Sequence, residues 1–346
     1  MIRVRNVYHM LAYAFQALRG RGYRDVATEE FDDVADLLAA ILARGVESQV
    51  RRGLGREYVS RVESLSTPRG RIDVTASLKD GSYLRRRLVC DYDELSVDTN
   101  MNRVLKATMA MLLRSGVDRA RRAELRRLLP FFSQVSDIGL ADIDWHMRFD
   151  RDNQTYRMLM GVCWLACEGL LQTQSDGTRR LADFINEQRM CRLYEKFVLE
   201  YYRREHPGLH AGAPHIAWAL DDGCDELLPV MRSDVTLSHG DRVLVIDAKY
   251  YSHVMQERFG RLSVHSGNLY QVFSYVKNLD AGLGAGTREV SGMLLYAATD
   301  EDVQPDVTYR MSGNRIDVRT LDLDQPFERI REQLDLVAEE HFGPGL

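Results

Sequence analysis

Asp234, Asp247 and Lys249 are the residues whose types and spacing could do chemistry. They lie in the stretch Pro229-Val-Met-Arg-Ser-Asp-Val-Thr-Leu-Ser-His-Gly-Asp-Arg-Val-Leu-Val-Ile-Asp-Ala-Lys-Tyr-Tyr. Two neighbouring carboxylates suit a hard divalent ion with oxygen ligands, Mg²⁺ above all. Such an ion binds an attacking water and polarises a phosphodiester oxygen. A lysine beside it positions the water or offsets charge developing on the phosphate. The competing reading of the same three residues is a salt-bridge triad at a strand end.

That chemistry requires elements that bring the residues together. Val243-Leu-Val-Ile is a continuous apolar run and predicts a buried central strand. Charges at the end of such a strand are costly unless paired or bound to metal. The segment Ser238-His-Gly-Asp241 predicts a tight turn between two antiparallel strands, with Gly supplying positive φ. With His239-Gly240 as the two-residue loop, position 234 pairs with 245. Asp234 then shares a face with Asp247 and Lys249 and lies diagonal to Asp247.

The rest of the chain reads as two regions. Helices are predicted near the N-terminus, over 31–46, and at 100–115, 118–130, 154–172 and 180–205. Between 55 and 92, Tyr58-Val-Ser-Arg-Val, Arg71-Ile-Asp-Val-Thr and Leu84-Arg-Arg-Arg-Leu-Val-Cys predict short strands, punctuated by turns at Pro68-Arg-Gly and Lys79-Asp-Gly-Ser. From about 213 the pattern is mixed: strands at 214–219, 229–237, 242–250, 290–298, 306–311 and 314–320, and helices at 266–279 and 325–341. The expected fold is an α+β N-terminal region, with helices and a small antiparallel sheet or barrel, followed by an α/β domain. The boundary is set near 150, giving domains 1–150 and 151–346.

Composition narrows the function classes. The 346 residues are 45% hydrophobic and 28% charged, a globular profile that excludes disorder over most of the chain. No apolar run is long enough for a membrane span, and the N-terminus lacks a signal-peptide core, so a cytoplasmic setting is expected. The formal net charge of −5 argues against nucleic acid only as an average. Residues 51–130 carry 18 basic against 10 acidic side chains, whereas 131–346 carry 22 against 34. The basic stretch could face nucleic acid or an acidic protein surface, or be a solvated face. Only five lysines occur, none after a glycine, so the nucleotide-binding phosphate loop is absent. Cys163 and Cys167 sit in an apolar helical pattern and are expected to be buried small hydrophobes rather than metal ligands.

Asp-(x)n-Asp-x-Lys across a hairpin is the pattern of PD-(D/E)xK nucleases, in which a further acid often comes from the preceding helix. Glu195 and Glu200 lie on that helix, and Glu195 is the favoured candidate. Gln271, at the start of the following helix, is placed to hydrogen-bond the scissile phosphate. Both positions could equally be solvated polar sites on a helix.

The chain also resembles the McrC family of the McrBC modification-dependent restriction systems along nearly its whole length. The resemblance rests on Val4-Arg-Asn-Val-Tyr-His-Met-Leu-Ala-Tyr-Ala, Arg52-Gly-Leu, Pro68-Arg-Gly-Arg-Ile-Asp, Cys90-Asp-Tyr-Asp-Glu-Leu-Ser-Val-Asp-Thr-Asn, Asn102-Arg-Val-Leu-Lys-Ala-Thr, Leu228-Pro-Val-Met-Arg-Ser-Asp and Ile246-Asp-Ala-Lys-Tyr-Tyr. It implies a restriction-endonuclease-like C-terminal domain that cuts double-stranded DNA with Mg²⁺ through Asp234, Asp247 and Lys249. It implies an N-terminal region that docks with a McrB-like AAA+ ring, which hydrolyses GTP and recognises 5-methylcytosine, in an antiphage defence system. Arg52, Arg69 and Arg71, around the basic hairpins, are the candidates for that docking. Dimerisation within the assembled complex is compatible with it. Two other functions remain open: a non-catalytic adaptor that activates a AAA+ ring, and a stand-alone DNA repair-type nuclease.

Overall fold

A computed structural model describes the chain except residues 1, 16–17, 19–22, 24–25, 27–28, 30, 32, 152, 177–186, 252–253, 259–260, 285–286, 300, 302 and 345–346. The expected helical start at 180–186 lies outside the described residues. Two compact units form: Met1–Val34 with Asp183–Leu346, and Ala35–Ala182. The chain therefore does not divide at a single point near 150. Among the described residues, no helix is long and apolar enough to cross a membrane.

The N-terminal helix α1 (Val4–Ala14) belongs to the first unit through contacts distant in sequence. Tyr13 packs with Phe197, Tyr201 and Phe327, and its hydroxyl donates to Glu205. Asn6 donates from its side-chain amide to the carbonyls of Leu323 and Gln325. A buried amide needs such partners, because an unsatisfied polar group costs about 1–3 kcal/mol.

The unit Ala35–Ala182 begins in α2 (Val34–Arg52), whose Leu37, Leu38, Ile41, Leu42 and Val46 are fully buried or nearly so. A small antiparallel sheet follows, built from β1 (Glu57–Leu65), β2 (Arg71–Asp73) and β3 (Leu88–Ser96) in the order β1-β3-β2. Val74 and Thr75, expected to end the second strand, instead open a short helix, α3 (Val74–Lys79), whose N-cap Asp73 accepts from Ala76 N–H. Three helices complete the unit: α4 (Asn100–Leu112), α5 (Arg119–Leu128) and α6 (Gln154–Asp176). Tyr156 of α6 donates to Asn102 of α4 at 2.8 Å, and Cys167 lies 3.2 Å from Thr108. Cys163 and Cys167 are buried, as expected for small apolar side chains.

The other unit is organised on a five-stranded mixed sheet. Its strands are β6 (Val235–His239), β7 (Arg242–Lys249), β10 (Glu289–Ala297), β11 (Val307–Met311) and β12 (Asn314–Leu321), in the order β11-β12-β10-β7-β6. Two small pairs accompany it: β4 (His215–Ile216) with β5 (Met231–Arg232), and β8 (Met255–Arg258) with β9 (Arg261–Val264). The central strand β10 pairs in parallel with both β7 and β12. Helix α8 (Ser266–Gly282) packs Val272 and Val276 against Val243, Val245, Leu294 and Ile316. Helices α7 (Glu187–Glu205) and α9 (Phe327–Phe342) are joined where Tyr201 and His206 both bond Asp335 and Tyr202 donates to the Leu334 carbonyl.

Candidate functional site

Strand β7 is buried from Val243 to Ala248, and its last residues carry the chemistry. Side chains alternate along a strand, so Asp247 and Lys249 continue the face that Val243 and Val245 bury against α8. The hairpin register is Val235↔Ile246, Leu237↔Leu244 and His239↔Arg242. The turn is thus Gly240-Asp241, not His239-Gly240, and Gly240 takes φ +58° at its first central position. One further step in this register sets Asp234 opposite Asp247 instead of diagonal to it. The shift in pairing is two residues, so the shared face expected from the sequence is kept.

The two carboxyl groups lie within hydrogen-bonding reach of each other. Asp234 Oδ2 accepts from the backbone N–H of Ala248 at 2.9 Å. Lys249 Nζ donates to Asp247 Oδ1 at 3.0 Å and stands 2.9 Å from Oδ2. Only the first of these has hydrogen-bond geometry, which leaves Asp247 Oδ2 buried with an ionic contact and no directed partner. Burial raises the pKa of Asp247, and the Asp234 charge adds to it, while Lys249 pulls the other way. Asp234 is raised as well, chiefly by burial. Lys249 is desolvated, yet the two carboxylates hold it charged and above its ordinary value. The cluster therefore binds protons tightly when no other cation is present.

Helix α7 contributes Glu195. Burial raises its pKa, and the nearby Asp234 charge raises it further; hydrogen bonding from Cys191 and the charge of Lys249 oppose this. Cys191 Sγ donates to Glu195 Oε1 at 3.1 Å. Glu200 is engaged elsewhere, in a 2.7 Å ion pair with Arg203. The structure thus brings Glu195, not Glu200, to the cluster. Gln271 lies on α8, and its side-chain amide donates to Tyr275 Oη at 2.8 Å.

Three residues beside Lys249 escaped the sequence reading. Tyr296 is fully buried and directly opposite Lys249 in the parallel β10–β7 pairing. Asn268 donates to Tyr296 Oη at 3.0 Å and accepts from Tyr251 Oη at 3.4 Å. Tyr251 has a sequence signal, adjacency to the Asp-Ala-Lys motif. Tyr296 and Asn268 have none, because they arrive from other elements.

A buried carboxylate oxygen without a directed partner, opposite a second carboxylate, fits a hard cation. Among the described residues, no group of three or more His, Cys, Asp or Glu side chains is arranged to hold a metal ion. Asp234 and Asp247, opposite each other across β6 and β7, could hold one with waters and phosphate oxygens filling the other positions, as Mg²⁺ prefers.

The three arginine candidates lie in the unit Ala35–Ala182 and are all exposed. Arg52 ends α2, and Arg71 opens β2. Arg69 holds its guanidinium 4.7 Å from the centroid of the Tyr92 ring.

The fold and this cluster define a mixed α/β protein with two acids and a lysine gathered at the end of strand β7. Residues 3–297 match the family described as "McrBC 5-methylcytosine restriction system component", and the chain belongs to that family. It is 28% identical over 347 residues to the type IV methyl-directed restriction enzyme EcoKMcrBC of Escherichia coli (strain K12), covering 99% of this chain and 98% of the relative. Among solved structures it is similar to a half-complex from the tetradecameric assembly of Thermococcus gammatolerans McrB AAA+ hexamers with bound McrC. The TM-score is 0.52 at 18% identity, with 96% of this chain and 76% of that one covered; at that identity the likeness is one of fold.

Proposed function

We propose that the chain is the nuclease subunit of a GTP-dependent restriction complex that cleaves double-stranded DNA containing modified cytosine. The observation that carries this reading is the Asp234–Asp247–Lys249 cluster, in which the buried Asp247 Oδ2 meets only the Lys249 ammonium. The five-stranded unit is read as a restriction-endonuclease-like domain of the PD-(D/E)xK type, since two acids and a lysine meet at the end of its strand β7. Asp234 and Asp247 would hold Mg²⁺, which when bound supplies an activated water and a polarised phosphate oxygen. Lys249 keeps its proton and offsets the negative charge that builds on the phosphate. Glu195 supplies a further acid next to Asp234, and Gln271 offers an amide donor to the phosphate.

The chain has no phosphate loop, so nucleotide hydrolysis belongs to a separate AAA+ partner of the McrB kind. The unit Ala35–Ala182 is read as the docking part, with Arg52, Arg69 and Arg71 engaging that ring and stimulating its GTPase. Its three-stranded sheet leaves Tyr58 and Val62 largely exposed, which suits a surface covered by another protein. One such cluster would make one strand cut, so two copies within the assembly would account for a double-strand break.

The test is Asp247→Asn in the chain assembled with its AAA+ partner, with GTP, Mg²⁺ and methylated DNA. DNA cleavage is lost and partner GTP turnover is retained. Cleavage at the wild-type rate would overturn the site assignment.

A further inference from the structure

Cys191 enters none of the chemistry above, yet it lies between the helix that carries Glu195 and the strand end that carries Asp247 and Lys249. It stands four residues before Glu195, on the same face of α7. Its sulfur is 3.1 Å from Glu195 Oε1 and 3.8 Å from the carbonyl oxygen of Ala248. Ala248 is the residue between Asp247 and Lys249, and its own N–H is bonded to Asp234. The backbone N–H of Tyr250 also bonds the sulfur. A thiol has one proton to donate and accepts weakly, so Cys191 can hold Glu195 while receiving the strand's N–H.

We propose that Cys191 is a positioning residue: its thiol fixes the Glu195 carboxylate beside Asp234 and so sets how tightly the acid cluster holds a divalent cation. The inference rests on the nuclease reading of that cluster. One observation besides the cysteine points to a cation there: Asp247 is 1% exposed, and its Oδ2 meets only the ammonium of Lys249, with no directed hydrogen bond. Glu195 reaches the same strand end through the cysteine, whose sulfur lies against Ala248 between Asp247 and Lys249. Without the thiol, Glu195 keeps its burial and its repulsion from Asp234 but loses its hydrogen bond on the helix side. Its carboxylate is then free to swing away from Asp234 through its rotamers.

Removing one hydrogen bond of ordinary strength changes an equilibrium by roughly fivefold. Cys191→Val removes the donor at nearly constant volume, and Cys191→Ser restores a donor. The measurement is Mn²⁺ affinity of the full chain by electron paramagnetic resonance, with the Mg²⁺ dependence of cleavage by the assembled complex as second readout. Thermal melting of each variant confirms folding. Expected are a roughly fivefold weaker Mn²⁺ affinity for Cys191→Val, a matching rise in the Mg²⁺ needed for half-maximal cleavage, and recovery in Cys191→Ser. Wild-type affinity in Cys191→Val, or an equal loss in Cys191→Ser, overturns the role of the thiol while leaving the nuclease reading in place. A wild-type chain that binds no Mn²⁺ overturns the metal reading itself.

Discussion

In the five-stranded sheet, β7 is buried from Val243 to Ala248 and carries its charged pair at the end of that run. In the three-stranded sheet, β1 spans nine residues and buries none of them fully. The same backbone geometry therefore serves two ends. Where helices cover both faces, water is excluded, and the carboxylates at the strand end have their pKa raised by burial. Where a face is left open, Tyr58 is 75% and Val62 65% exposed, and apolar side chains stand beside arginines. Chemistry needs the covered sheet, and association with another protein suits the open one.

Four changes would break or sharpen this contrast. The largest effect belongs to the acid pair. Asp234→Asn and Asp247→Asn are each expected to reduce cleavage at least about 10²-fold, and the double variant by little more, because the two act as one unit. Rates measured under saturating Mg²⁺ would show this; additive losses would mean that the carboxylates work separately.

Next comes packing. A Cβ on Gly292 of β10 would lie 2.7 Å from Val276 Cγ2 and 3.0 Å from both Ile316 and Val272. Gly292→Ala is expected to lower stability by about 1–3 kcal/mol, as overpacking does. Urea denaturation measures it, and an unchanged midpoint would show that α8 gives way.

A smaller effect comes from acid in the other unit. The Arg103 fork bonds Asp98 at 2.7 and 2.8 Å, and Ser136 adds its hydroxyl and N–H. These bonds hold the Asp98 carboxyl well below the usual range, Arg103 chief among them. A carboxyl depressed in the folded state stabilises above its unfolded pKa of about 3.9. That contribution fades as the pH falls from there toward the folded value. Asp98→Asn should therefore cost stability at pH 7 and flatten the decline below about pH 4, read from thermal melts across pH.

The smallest effect on folding is expected at the open sheet. Val62→Lys, which sets a cation opposite Asp91, should change stability by no more than about 0.5 kcal/mol, as surface substitutions do. It should nonetheless weaken stimulation of the partner GTPase. Full stimulation with an unchanged melting temperature would show that this face is not the docking surface.

Much of the fold was legible in periodicity. The run Val243–Ile246 is a buried strand, and the helices expected at 266–279 and 325–341 form over Ser266–Gly282 and Phe327–Phe342. Strand β3 was harder to see. It runs on through Asp91, Asp93 and Glu94, residues of low strand propensity, because pairing with the whole of β1 outweighs local preference. The β8–β9 hairpin was not seen, since Met255-Gln-Glu-Arg lacks the β-branched alternation that marks a strand.

The sequence by itself determined the chemical inventory: two acids and a lysine on one face of a hairpin, no phosphate loop, and an arginine-rich stretch apart from the acids. The shared face was robust because strand side chains repeat every two residues, and the actual turn moved the register by two. Tertiary structure alone decided which distant groups join them. It chose Glu195 over Glu200, set Cys191 against Ala248, brought Tyr296 and Asn268 beside Lys249, and placed α1 among Phe197, Tyr201 and Phe327. Local periodicity reports which face of an element is apolar, not which element will cover it. That choice is made by packing between residues dozens to hundreds of positions apart.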